Sequence, residues 1–146
     1  MTTLICRRDA FRLGAKRTFT VIAVVAAKEA SDGQACVYVI EHGVPNALPL
    51  RWLREQVEAW LEEKLLLPVE SPRPTCPAQA TDSDLLKMYE RWSRIKAIRA
   101  DHRLYERTTR NKLLTEHAKK FGSTKETLLS DLRKYWLQGQ TKSALA

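Results

Sequence analysis

Ala118-Lys119-Lys120-Phe121-Gly122-Ser123-Thr124-Lys125-Glu126-Thr127-Leu128 is the stretch that decides the architecture of this chain. It joins two amphipathic segments through three or four residues with a glycine at their centre. Before it, Leu113, Leu114, His117, Ala118 and Phe121 recur on or near one helix face; after it, Leu128, Leu132, Tyr135 and Trp136 do the same. Gly122 can take the positive φ that ends a helix, and the hydroxyl of Ser123 or Thr124 can cap the next one. Ala118, four residues earlier, is small enough to let two helices cross closely. The spacing predicts one helix from Glu106 or Arg107 to Lys120, a second from Ser123 or Thr124 to Gly139, and a helix-turn-helix between them.

Upstream, Leu85, Met88, Tyr89, Trp92 and Ile95 predict a preceding helix capped at Thr81 or Asp82, with Arg91, Arg94, Lys96 and Arg99 largely off its apolar stripe. Residues 68–80 contain Pro68, Pro72, Pro74 and Pro77 and little apolar material, the composition of a semi-rigid linker. Before them, residues 16–27 and Cys36–Glu41 are rich in Val, Ile, Phe, Thr and Tyr. Residues 28–34 between them contain Ser31-Asp32-Gly33, and together they predict a β-hairpin. A covering helix is expected from about Leu50, where Leu50, Leu53, Val57, Trp60, Leu61 and Leu65 recur while Arg54, Glu55, Glu58 and Glu62 face water. Pro49 suits its first turn and Pro68 its end. A short strand over residues 2–6 would complete a core that a lone hairpin cannot make. The expected fold class is α+β: a hairpin-and-helix unit at residues 1–67, a linker at 68–80, and an all-α three-helix helix-turn-helix domain at 81–146.

The 146 residues are 44% hydrophobic, enough for a packed core. The longest apolar run, residues 19–27, is far short of the roughly 20 residues a membrane-spanning helix needs. The N-terminus has no secretory pattern, so a cytoplasmic protein is expected. Cys6, Cys36 and Cys76 are scattered and odd in number, and read as reduced thiols. His42, His102 and His117 are equally scattered and read as surface or boundary residues. Neither set has metal-ligand spacing, and no cofactor is expected. Charge is divided unevenly. Residues 1–80 hold 10 Lys/Arg against 9 Asp/Glu, net +1, whereas residues 81–146 hold 15 against 8, net +7. A polyanion is the natural partner of the second half.

In a helix-turn-helix the N-terminal part of the last helix enters the major groove. Contact is then expected from Ser123, Thr124, Lys125, Glu126, Thr127, Leu129, Ser130, Arg133 and Lys134. Lys125 and Arg133 can reach guanine or phosphate, Glu126 can accept from cytosine, Thr127 and Ser130 can meet base or backbone, and Leu129 can meet a thymine methyl. Arg107, Arg110, Lys112, Lys119 and Lys120 are placed to hold phosphates and set register. Trp92, Tyr135 and Trp136 stand at core spacing and read as packing residues.

The segment Ala118-Lys-Lys-Phe-Gly122, with Leu128 and then Leu132-Arg-Lys-Tyr-Trp136 and Gly139-Gln-Thr141, resembles the N-terminal region of TnsB-type transposases. The motif over residues 132–145 is the most specific part, and the similarity runs over about residues 85–145. The resemblance implies recognition of transposon ends by N-terminal helical modules. It also implies, in the longer family proteins, an RNase H-like core with three carboxylates and magnesium. In a chain of this length that core has no room, so no catalytic residue and no metal are expected. Relative to the family pattern, Ser123 replaces an aliphatic residue, Asp131 brings a negative charge into the recognition helix, and Lys142-Ser143 replace Pro-Asn. The expected function is sequence-specific binding of double-stranded DNA at transposon ends, in a bacterial nucleoid setting, with other transposase subunits or transposition proteins as further partners. A stand-alone helix-turn-helix regulator and a protein-interaction module of a transposition complex are the competing readings.

Overall fold

The computed structural model describes residues 4–71, 81–141 and 145. Thr2, Thr3, Pro72, Pro74, Cys76, Pro77, Lys142 and Ser143 therefore lie outside the described residues. The chain divides into two units, Met1–Pro72 and Arg73–Ala146, and the division falls inside the proline-rich stretch.

The first unit is a five-stranded antiparallel sheet in the order β4-β3-β2-β1-β5, carrying one helix. Strands β2 (Arg17–Val25) and β3 (Cys36–Glu41) form the expected hairpin, with a bulge between Val21 and Ala23. Strand β1 (Ala10–Leu13) lies beside β2 across a tight turn in which Gly14 takes φ +66°. The short strand expected at residues 2–6 is not found in its described part. Instead Ile5 enters the core, and a turn closed by Cys6 N–H donating to Asp9 Oδ2 at 2.7 Å leads into β1.

The helix expected from Leu50 begins four residues later. Leu50–Leu53 is strand β4, paired with β3, and helix α1 spans Arg54–Glu62. Leu50, Leu53 and Val57 have helical spacing, yet the bare edge of β3 needs hydrogen-bond partners, and satisfying that backbone outweighs the local pattern. Pro68 does not end the helix either. The chain turns at Lys64, with φ +60°, and Leu66–Val69 forms β5 against β1, Pro68 standing opposite Phe11. Proline is tolerated there because β5 is an edge strand, where one N–H direction faces no partner. Phe11, Phe19, Val37, Val39, Trp52, Val57 and Leu66 are the buried centre, with Trp60 and Leu61 of α1 packed on it. The Trp52 ring meets Phe19 edge-on at 4.7 Å and Trp60 at 5.2 Å, which fastens the helix to the sheet. The unit is thus a complete small sheet with its own helix, larger than the hairpin expected.

The second unit is helical. Helix α2 (Asp82–Ile95) starts in a capping box: Thr81 Oγ1 accepts from Asp84 N–H, and Asp84 accepts from Thr81 N–H, both at 3.1 Å. A short 3-10 helix (His102–Leu104) follows, then α3 (Arg107–Phe121) and α4 (Lys125–Leu137). Helix α3 packs on the 3-10 helix and on α4, and α2 packs on α4. Met88, Ile95, Ile98, Leu104, Leu114, Leu128, Leu132, Tyr135 and Trp136 are buried. Leu85 and Tyr89, expected on the inward stripe of α2, are exposed, whereas Met88 and Ile95 of the same stripe are buried. The overall class is α+β, as expected.

Candidate nucleic-acid interface

The connection between α3 and α4 shows why small and polar residues occupy it. Gly122 ends α3 with φ +62°, and Ser123 N–H donates back to the Ala118 carbonyl at 2.9 Å. Of the two cap candidates, Thr124 is the one that acts: its hydroxyl accepts from Thr127 N–H at 3.2 Å and bonds the Thr127 hydroxyl at 2.9 Å. The amides of Lys125 and Glu126 at the start of α4 are left outside the helical ladder, where the dipole is positive.

Leu128, Asp131, Leu132 and Tyr135 form the buried side of α4. Glu126 and Ser130 are exposed, Leu129 and Arg133 are half-buried, and all four lie on the opposite stripe. Lys125 and Thr127 flank that stripe at the start of the helix, and Ser123 and Lys134 are half-buried at its margins. On α3, Arg107, Lys112, Lys119 and Lys120 are exposed, the last two in the turn just before Gly122.

Arg110 is placed differently. It is 4% exposed and donates from Nη1 to the Leu104 carbonyl at 3.3 Å. Burial, then the charges of Arg107 and Arg133, push its pKa below the usual arginine range. Burial also lowers Arg133, and it lowers Lys134, to which the Arg91 charge adds. Arg110 was legible as an inward residue: Arg110, Leu113, Leu114, His117 and Ala118 form one helical stripe, and all are buried. Its charge masked that position in the sequence.

Asp131 faces inward and not toward a ligand surface. Arg94 Nε donates to Asp131 Oδ2 at 2.9 Å, and the Asp131 side chain keeps only 6% of its surface. The Arg94 carbonyl accepts from the ring of His117, whose Nε2 must carry the proton because a carbonyl only accepts. Arg94 thereby ties α2 to α3 and to α4. Nothing in the local sequence announces this, since Arg94 and Asp131 are 37 residues apart. His117 is buried rather than a surface residue, His42 is half-buried, and His102 is exposed. Arg91 is also engaged, donating to the Leu145 carbonyl at 2.9 Å. The cations on the inner side of α2 thus serve the fold. Cys6 and Cys36 are free thiols. Among the described residues, no three acidic, histidine or cysteine side chains gather to hold a metal ion, and no helix is long and apolar enough to cross a membrane.

The class so defined is a small helical unit that turns one stripe of its last helix, and the cations beside it, outward. Residues 89–146 match the family model of the TnsB second domain. The match bears out the resemblance carried by residues 132–145 and supports the N-terminal region of a TnsB-type transposase. It takes in the second half of α2 and all of α3 and α4, and leaves the sheet unit outside. No curated protein matches the chain.

Proposed function

We propose that residues 81–146 bind double-stranded DNA as a helix-turn-helix formed by α3 and α4, and that the protein recognises transposon ends as the N-terminal part of a TnsB-like transposase. The observation that carries this reading is α4 itself: a Thr124-capped helix directly after an αL glycine, with Glu126, Leu129, Ser130 and Arg133 on the side away from its core. In the groove, Lys125, Glu126, Thr127, Leu129 and Ser130 meet base edges. Arg107, Lys112, Lys119, Lys120 and the backbone of Ser123 and Thr124 hold phosphates, with Lys134 at the margin. No chemistry is assigned to this region, and the work is done on the DNA of the bacterial nucleoid. The sheet unit then serves subunit contacts or assists on the duplex, with the proline-rich segment as its link.

Selection of bound duplexes from a random-sequence pool tests the reading. Enrichment of a defined sequence by the protein, lost in a Lys125→Ala, Ser130→Ala double variant, is the expected result. Weak, equal binding of every duplex, unchanged in the variant, overturns it. A second reading, contact with another protein of the transposition machinery, is favoured by one observation: Leu85, Leu86 and Tyr89 are exposed together along α2. Retention of such a partner with negligible duplex affinity at low salt would select it.

A further inference from the structure

Gly139, Gln140 and Leu145 belong to the most specific part of the sequence motif, and duplex binding by α3 and α4 gives them no task. Gln138 N–H donates to the Lys134 carbonyl at 3.1 Å and Gln140 N–H to the Tyr135 carbonyl at 2.8 Å, with Gly139 at φ +95° between them. This is the closure of a Schellman motif, and it turns the chain sharply at the end of α4. Gln140 follows at φ +55° and is buried. A residue with a Cβ is disfavoured in that conformation and persists there where its surroundings hold it. Leu145 is held as well: its side chain is fully buried, and its carbonyl accepts from Arg91 Nη1 at 2.9 Å. Arg91 belongs to α2 and lies 54 residues away in sequence.

Two polar ties thus connect α4 to α2. One is Asp131, bound by Arg94; the other lies beyond Leu137, where Leu145 is bound by Arg91. Asp131 stands at the middle of α4, six residues from Lys125 and six from Leu137, so each arm of the helix is about 9 Å long. Leu128 and Leu132 press α4 onto its core, but apolar contact is not directional. A helix fixed at one point can pivot there, whereas a helix fixed at two keeps its direction. Movement at the Leu137 end would swing the Lys125 end, with its outward residues, by a similar distance the other way. We propose that Gly139, Gln140 and Leu145 form a clasp that aims α4, and that Arg91 and Leu145 are positioning residues for reading the duplex, touching no base themselves. This rests on the duplex-binding reading above.

The test uses the full chain and its Arg91→Met, Arg91→Lys and Leu145→Ala variants, at a temperature where circular dichroism shows each to be folded. Affinity is measured for a duplex that the parent chain enriches from a random-sequence pool and for a scrambled duplex of the same composition. Arg91→Met keeps an apolar stem and loses the donor, whereas Arg91→Lys keeps a donor. Arg91→Met and Leu145→Ala are each expected to lower the preference for the enriched duplex about tenfold, the order of one misread base pair, and Arg91→Lys to keep most of it. Preference is the readout because Arg91→Met also removes a charge, which weakens both duplexes alike. A clasp that only stabilises the fold would leave the preference of a folded variant unchanged, and that result overturns the proposal. Arg91 is half-buried on α2, so its two variants decide the matter even where Leu145→Ala does not fold. A parent chain that enriches no sequence has a different meaning: it overturns the duplex reading itself, and the role of the clasp with it.

Discussion

An ion pair between Arg94 and Asp131 joins α2 to α4 in the second unit, and its geometry sets its worth. The Asp131 side chain is 6% exposed and Arg94 25%. Removing one partner of such a pair leaves a charge poorly solvated, whereas replacing both with apolar groups is far milder. Asp131→Ala is therefore expected to destabilise the unit by about 2–3 kcal/mol, less than a fully buried pair because Arg94 keeps contact with water. The Arg94→Leu, Asp131→Leu double variant should lose less than the single. Urea unfolding of the three proteins checks the order, and a double variant weaker than Asp131→Ala would refute the account.

His42 in the sheet unit gives a pH dependence. Its ring is bonded to the Thr20 hydroxyl at 2.6 Å, and burial lowers its pKa from 6.5. The unfolded chain then binds the proton more readily than the folded one. Stability associated with His42 is complete above pH 6.5 and is lost as the pH falls from there toward the lowered folded value. Denaturant midpoints of the sheet unit should drop between about pH 7 and pH 5, and His42→Gln should flatten that drop. Equal slopes in both proteins would place the titration elsewhere.

At the scale of elements, the caps matter most for α4. Thr124→Ala should cost the helical unit about 1 kcal/mol, because Thr127 N–H loses its acceptor, and Thr124→Asp should restore the loss. Denaturant unfolding of the two variants is the check. Such caps are also why the helices were legible: Thr81, Gly122 and Thr124 are local signals, and the boundaries of α2, α3 and α4 fall beside them. Strands β1, β4 and β5 have four residues each, too few to display a period, and their existence is decided by neighbours distant in sequence. The 3-10 helix was hidden for the same reason. Of the candidate interface, the outward stripe of α4 could be read from its spacing against Leu128 and Leu132. The inward turn of Arg110 lay in its spacing and was masked by its charge, and that of Asp131 depends on the Arg94 that another helix brings to it.

At the scale of the whole molecule, the two units bury separate cores. Residues 73–146 alone are expected to unfold cooperatively and to keep the duplex affinity of the full chain within about threefold, since the net +7 of residues 81–146 travels with them. Circular dichroism melting and a binding titration of that fragment measure both. A fragment that melts without a transition would show that the sheet unit is needed for the helical one to fold.

The sheet unit ends on both sides in a four-residue strand, β4 with the charged Arg51 and β5 with Pro68. An open strand is a template on which another chain can build, and brevity, charge and proline each spoil it. Copies crowded together at high concentration would therefore meet without their sheets fusing. Protection from edge-to-edge aggregation is built into the unit's two rims.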